Sequence, residues 1–297
     1  MFESPAADPI ERFRTFEGRG DTGRRAVRIG FVFGPRALRR ICVRPVRVLV
    51  ADDTGAQHLA TKSFPDPSSI ARFWVAQVNA SLCRARLTAR VAVGAVARLE
   101  DEEARVFGPD PGTRLFDLFE GRVRARGRSL PLECWATGAD VSCVLLLLDW
   151  AMSRTRIEHG GWAGLTPSPA LRKQGLVRFH PVAVADLRCA LTAHSAAHEF
   201  GHVLGCTHED APNPQAPRAR GFAARGSSTF TVMAAARRNE RGRRLEWSRP
   251  SPHGGKWAFG DAEHDEAAWL SVALPLLARQ RFQCSGACGG ACVDLTS

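Results

Sequence analysis

Eleven residues from His198 to His208 combine side chains that hold a metal ion with one that can act as a base. They read His-Glu-Phe-Gly-His-Val-Leu-Gly-Cys-Thr-His. Residues four apart lie on one face of a helix, about one turn apart, so His198 and His202 can present their imidazoles to the same ion. Glu199 lies beside them, close enough to act on a metal-bound water rather than on the metal.

Gly205 explains how a third histidine can reach that ion. Glycine adopts a positive φ at little cost, so the helix can end there and the chain can turn sharply. The turn returns His208 to the ion as a third ligand. Three protein ligands leave a fourth position for water, which is the arrangement of catalytic rather than structural zinc. Zinc lowers the pKa of that water towards about 7, and a carboxylate can take its proton during attack on a peptide carbonyl.

Two alternatives concern the histidines themselves. A helix that contains them by coincidence would also have to place Gly205 and His208 at fixed later positions by chance, so we disfavour this interpretation. His194 lies four residues before His198, but a ligand there would be a further turn away from the ion. We therefore interpret His194 as a supporting or surface histidine.

The elements that must position this motif are predicted from apolar periodicity. Alternating β-branched residues indicate strands, apolar residues at helical spacing indicate helices, and the continuous apolar run Val141 to Leu148 indicates a strand buried on both faces. The predicted order of strand, helix, strand, helix, strand is typical of a mostly parallel sheet with packed helices. The strands are predicted at residues 45–53, 87–96 and 141–148. The helices between them are predicted at residues 68–82 and 115–123, and two further helices at residues 191–204 and 262–282.

Composition narrows the possible partners. The chain has 297 residues, of which 44% are hydrophobic and 24% charged, and its longest apolar runs are well short of the roughly 18 residues that span a bilayer. We therefore predict a soluble protein. The formal charge of +11 comes almost wholly from scattered arginines, since Lys62, Lys173 and Lys256 are the only lysines, and tyrosine is absent. Nucleic-acid binding needs basic and aromatic residues gathered on one face, so we expect no nucleic-acid partner.

The chain ends differ from the centre in composition. Residues 1–44 are rich in arginine, glycine and proline, and we predict a basic, poorly ordered leader there. The first residues show no basic segment followed by an apolar stretch, so the sequence predicts no export signal. Residues 284–297 form a Cys/Gly-rich tail, which leaves residues 45–283 for the principal domain. The nine cysteines are an odd number, so they cannot all pair within the chain.

The long histidine motif resembles that of the metzincin zinc metallopeptidases, most closely the reprolysin (adamalysin) family and its bacterial relatives. These families also carry a methionine turn beneath the metal, and the turn is matched by Thr231-Val232-Met233-Ala234, about 25 residues after His208. Weaker similarities surround the two motifs. They are Gly138-Ala139-Asp140, Gly160-Gly161-Trp162-Ala163-Gly164, Gly221-Phe222, Trp247-Ser248-Arg249-Pro250 and the segment that begins at His264-Asp265-Glu266-Ala267.

The resemblance implies an α/β (α+β) fold with a twisted five-stranded sheet, four strands parallel and the edge strand antiparallel, above an irregular lower subdomain. It implies a secreted zinc endopeptidase whose single Zn²⁺ is bound by His198, His202 and His208, with Glu199 as the base and Met233 beneath the metal. A protein or peptide substrate would lie along the edge strand, and we expect a monomer without a membrane span. The substrate-binding residues implied in this way are Gly161, Trp162, Ala163, Gly164 and Leu165.

Some residues depart from the family pattern and leave alternatives open. Ala235 stands where some metzincins have a tyrosine near the metal, and Glu209 stands where reprolysins usually have aspartate. The resemblance implies a disulfide from Cys189 to a tail cysteine; a small metal site or thiols in the tail are the alternatives. The alternative function is a catalytically inactive zinc-containing peptide-binding module, which the intact Glu199 argues against.

Overall fold

The structure is a computed structural model, and it describes residues 26–41, 45–51, 56–100, 122–125, 127–149, 161–163, 181–211, 216–223, 229–235, 242–250 and 259–279. The strands are β1 Val27–Phe33, β2 Val46–Ala51, β3 Gln57–Lys62, β4 Val91–Leu99, β5 Arg122–Ala125, β6 Arg128–Pro131, β7 Cys143–Leu148, β8 Gly161–Ala163 and β9 Val182–Asp186. The helices are α1 Pro35–Ile41, α2 Pro67–Arg84, α3 Leu132–Gly138, α4 Leu187–Thr192, α5 Ser195–Val203 and α6 Glu266–Arg279.

The described residues form a seven-stranded sheet in the order β6-β5-β4-β1-β7-β9-β8. The four central strands β4, β1, β7 and β9 run parallel, and β8 pairs antiparallel with β9 at one edge. The mixed α/β class, the four parallel strands and the antiparallel edge strand are therefore confirmed. The predicted count of five strands is wrong, because the antiparallel hairpin β5–β6 extends the sheet beyond β4.

The central strand β1 lies inside the segment for which we predicted a poorly ordered leader. That prediction is wrong for residues 27–41, which form β1 and α1, while residues 1–25 lie outside the described residues. Strand β1 is almost entirely buried, and Gly30 packs so closely that an added Cβ would lie 2.9 Å from the Trp135 ring. The arginine-rich flanks concealed a short apolar strand, so the domain begins before residue 45.

Strand β2, which we predicted as the first strand of the main sheet, pairs instead with β3 in a separate two-stranded antiparallel sheet. Val48 and Val50 are buried while Arg47 is exposed, which is the alternation of a strand with one solvated face. By contrast, all six residues of β7 are buried, as predicted for a central parallel strand.

Most helices cover one face of the sheet and α3 lies against the other. An aromatic series fixes α5 to this sheet: the Trp74 ring on α2 lies 5.6 Å from the Phe31 ring on β1 and 5.7 Å from the Phe200 ring on α5, measured between centroids. Between α5 and α6 the described residues form turns and isolated bridges. No helix in the described part of the chain is long and apolar enough to cross a membrane.

Candidate metal centre

The helix predicted at residues 191–204 is two helices with a break between them. Helix α4 ends at Thr192, and α5 begins at Ser195 after His194 takes the left-handed conformation at φ 54°. His194 is buried, and its Nε2 lies 2.9 Å from the side-chain amide of Gln57 on β3. His194 is therefore a supporting residue that joins the small β2–β3 sheet to the start of α5.

The three predicted metal ligands come together. His198 and His202 extend from one face of α5, and His208 returns from the segment after it. The Nε2 atom of His208 lies 3.1 Å from that of His198 and 3.2 Å from that of His202. Among the described residues, this is the group whose arrangement could hold a metal ion.

Backbone carbonyl groups determine which ring nitrogens face the centre. His198 Nδ1 lies 2.6 Å from the carbonyl oxygen of Val232, and His202 Nδ1 lies 2.9 Å from that of Cys206. A carbonyl oxygen only accepts hydrogen bonds, so each Nδ1 carries the proton and donates it. Each Nε2 therefore presents its lone pair to the centre, which is the tautomer that a metal ion requires.

Burial keeps these imidazoles neutral. Desolvation lowers the pKa of His198 well below its ordinary value, and the nearby positive charge of Arg243 lowers it further. Desolvation, assisted by His208, lowers the pKa of His202 to about 4. Because a metal ion competes with protons for the same lone pairs, neutral histidines at physiological pH favour metal binding.

The turn predicted at Gly205 is present and has the expected backbone conformation. Gly205 has φ 88°, and its N–H donates to the His202 carbonyl at 2.9 Å. The Cys206 N–H donates back to the Gly201 carbonyl at 3.0 Å, which closes the end of the helix. The indole of Trp269 on α6 donates to the Leu204 carbonyl at 2.7 Å, so the closing helix holds the same turn.

The methionine turn lies directly beneath α5. Met233 is fully buried, and its sulfur packs against Gly201, where any added Cβ would overlap it. The preceding residue, Val232, provides the carbonyl that orients His198. Glu209, immediately after the third histidine, accepts a hydrogen bond at 2.7 Å from the N–H of Ala235. This contact joins the His208 segment to the methionine turn through a backbone N–H, which any residue other than proline at position 235 would supply.

The donor set fits a tetrahedral metal ion. Nitrogen ligands about 2.0–2.1 Å from a tetrahedral ion lie about 3.3–3.4 Å from one another, close to the 3.1 and 3.2 Å found between the Nε2 atoms. Three imidazoles suit zinc, and also copper, iron and nickel. The geometry therefore supports a metal centre without choosing the metal.

The remaining predicted site residues divide into three cases. Glu199 is buried on α5, adjacent to His198. Gly161, Trp162 and Ala163 form the edge strand β8, which packs against α5. Gly164 and Leu165 lie outside the described residues. The predicted disulfide from Cys189 is wrong, because Cys189 carries a thiol. Cys134, on α3, is disulfide-bonded.

Sequence reasoning missed a buried contact that fixes α6. The Glu266 carboxyl group accepts from the Ser248 N–H at 2.6 Å, and the Ser248 hydroxyl oxygen accepts from the Glu266 N–H at 3.0 Å. Burial raises the pKa of Glu266 from 4.5 to about 8, although the Ser248 hydrogen bonds oppose this shift. A serine followed eighteen positions later by a glutamate has no periodicity that would have revealed the pair.

This raised pKa predicts a pH-dependent stability. The folded protein keeps Glu266 protonated up to about pH 8, whereas the unfolded chain releases the proton near 4.5. The contribution of Glu266 to the free energy of unfolding is therefore full below pH 4.5 and falls by up to about 1.4 kcal/mol per pH unit until pH 8. Urea unfolding of Glu266→Gln should lack this decline, since glutamine keeps the acceptor and does not titrate. If the free energy of unfolding changes with pH in the same way in the two proteins, this prediction is contradicted.

No protein-family model and no curated protein matches the chain. Among solved structures, a chain in a chaperone–substrate complex is similar, with a TM-score of 0.52 and 11% sequence identity. The similarity covers 85% of this chain and 35% of that one, so this protein spans about a third of that neighbour's length. At this identity the likeness concerns the fold alone, and it agrees with the mixed α/β architecture.

Proposed function

We propose that this protein is a zinc-dependent endopeptidase of the metzincin type. The observation that carries the proposal is the convergence of three Nε2 atoms, from His198, His202 and His208, with Glu199 buried at the position after His198 on α5. Structural zinc sites are completed by four protein ligands. Three histidines leave a position for water, and Glu199 follows His198 on the same helix, an arrangement that suits hydrolysis.

Zinc is the metal we propose, because three imidazoles and one open position are a common catalytic zinc environment. When bound, it would supply a Lewis acid that lowers the pKa of water and polarises a carbonyl. Met233, packed against Gly201, and the carbonyl of Val232 would keep His198 in place during turnover. The same carbonyl fixes its tautomer, so the ligand needs no rearrangement.

Glu199 would accept the proton of the attacking water and return it to the leaving amine. This role needs a carboxylate close to the reacting water but not bound to the metal, and its neighbouring position to His198 on α5 supports that role. The sequence contains no tyrosine, so no phenol is available to stabilise the oxyanion. That stabilisation would rest on the metal.

A peptide substrate would add to the sheet at β8. Among the described residues, this strand pairs along one edge, with β9, through Gly161↔Ala185, Trp162↔Val184 and Ala163↔Ala183. The other edge of its backbone can accept an extended chain by strand addition, independently of side-chain sequence. Strand β8 packs against α5, so a peptide bound there would pass the metal group.

Digestion of a denatured protein mixture in heavy-oxygen water tests this function. The zinc-loaded protein should produce new internal cleavage sites whose carboxyl termini carry the heavy isotope, because water is the nucleophile. Removal of the metal with phenanthroline should stop the cleavage, and added zinc should restore it. Zinc-loaded protein that releases no new peptides, or releases them equally with the chelator present, would overturn the proposal.

A further inference from the structure

Arg220 lies beside the segment that delivers His208. Unlike His198 and His202, His208 does not belong to a helix, so its imidazole depends on contacts that hold an irregular backbone. Arg220 is partly buried, with its side chain 16% exposed. Its contacts reach the residues on both sides of His208.

The residue before His208 is held by backbone pairing. Thr207 forms an isolated parallel bridge with Arg220. The Thr207 N–H donates to the Ala219 carbonyl at 2.8 Å, and the Gly221 N–H donates to the Thr207 carbonyl at 2.9 Å. These two bonds fix the backbone position of Thr207, the residue directly before the third ligand.

The residue after His208 is held by the Arg220 side chain. The Nη1 group of Arg220 donates to the Glu209 carbonyl at 3.2 Å. Its Nη2 donates to the Glu263 carboxylate at 3.2 Å, and its Nε donates to the Glu263 carbonyl at 3.3 Å. The planar guanidinium therefore joins the ligand segment to the segment that precedes α6, with a geometry that lysine cannot reproduce.

The backbone of Arg220 is itself anchored. The Ser248 hydroxyl donates to the Arg220 carbonyl at 2.6 Å, and Ser248 is bonded in turn to the buried Glu266 at the start of α6. Nearby, the Asp265 N–H donates to the Arg218 carbonyl at 2.7 Å. A continuous series of hydrogen bonds thus runs from α6 to the residues that flank His208.

We propose that Arg220 is a positioning residue for the metal ligand His208. Its guanidinium fixes Glu209, while the backbone on either side of it, at Ala219 and Gly221, fixes Thr207. The imidazole between Thr207 and Glu209 is thereby held at the centre before a metal binds. The inference rests on the proposed function only in that His208 is a ligand; it does not require hydrolysis. Partners that orient metal ligands typically change metal affinity by about 10–100-fold when they are removed.

Metal binding by Arg220→Ala, measured without any substrate, tests this role. Competition with a chromophoric chelator should show zinc affinity reduced about 10–100-fold. The cobalt(II)-substituted variant should have altered d–d absorption bands, because His208 is no longer held in place. Arg218→Ala is the matched control: it removes an exposed arginine two residues away and should keep wild-type affinity and spectrum.

The two readouts separate positioning from general stabilisation. A purely structural role would lower the free energy of unfolding but leave the cobalt spectrum of the folded protein unchanged, and that result would overturn the inference. If the alanine variant fails to fold, Arg220→Lys provides the test, because lysine keeps the charge but cannot bond to Glu209 and Glu263 together. Wild-type zinc affinity and a wild-type cobalt spectrum in Arg220→Lys would also overturn the inference. A protein that shows the predicted shift yet cleaves nothing would contradict the proposed function and leave this inference standing.

Discussion

Replacement of Glu199 by glutamine should abolish peptide hydrolysis while leaving zinc bound. Glutamine has nearly the same size and shape, so the buried position on α5 should accommodate it, but an amide cannot take a proton from water. General-base catalysis contributes about 10²–10⁴-fold to rate, so kcat/KM for a quenched peptide should fall at least about 100-fold. Zinc content, measured by atomic emission, should equal that of the wild-type protein.

The matched control for this variant is Glu100→Gln. Glu100 follows β4 and bonds with Arg124 and Ser129, outside the metal group. Its replacement changes the net charge by the same amount and should leave kcat/KM unchanged, because Glu100 lies outside the metal group. If the zinc-loaded Glu199→Gln protein cleaves peptides as fast as the wild type, Glu199 is not the base.

Replacement of His208 by alanine should weaken zinc binding by more than about 100-fold. Loss of a partner that only orients a ligand costs about 10–100-fold, and loss of the ligand itself costs more. Two helical histidines cannot complete the three-nitrogen set, because the Nε2 of His208 is the atom that lies within 3.1–3.2 Å of the other two. Chelator competition measures the change, and hydrolysis should fall in proportion to zinc occupancy.

An exposed histidine outside the metal group provides the control for the loss of zinc affinity in His208→Ala. His58 on β3 is exposed and does not belong to the metal group, so His58→Ala should keep the wild-type affinity for zinc. Equal zinc affinity in His208→Ala and His58→Ala would show that His208 is not a ligand, and the account of Arg220 would fail with it.

The centre of the site could be predicted from sequence because its geometry is local. His198 and His202 are one helical turn apart, and Gly205 has the positive φ that the sharp turn requires. These properties depend on a few consecutive residues, which periodicity describes well. The resemblance added Met233, whose packing against Gly201 is consistent with a place beneath the helix.

The supporting contacts could not be predicted because they join distant parts of the chain. Arg220 reaches Glu263 across 43 positions, and Ser248 reaches Glu266 across 18, with no spacing that marks either pair. Strand β1 was missed for a different reason: its apolar run is short and lies among arginine-rich residues, so the average composition of residues 1–44 suggested disorder. The contact between Gln57, the first residue of β3, and His194 was likewise not predicted.

The rate of hydrolysis of one quenched peptide, measured while zinc is added stepwise to the metal-free protein, tests the central claim most directly. The account predicts no cleavage without zinc, a rate that rises until a single ion is bound per chain, and no rise in Glu199→Gln although it binds the same zinc. The contradicting result would come from a peptide library: the zinc-loaded wild type would bind peptides but cleave them no faster than Glu199→Gln does. That result would identify a peptide-binding module instead of a peptidase.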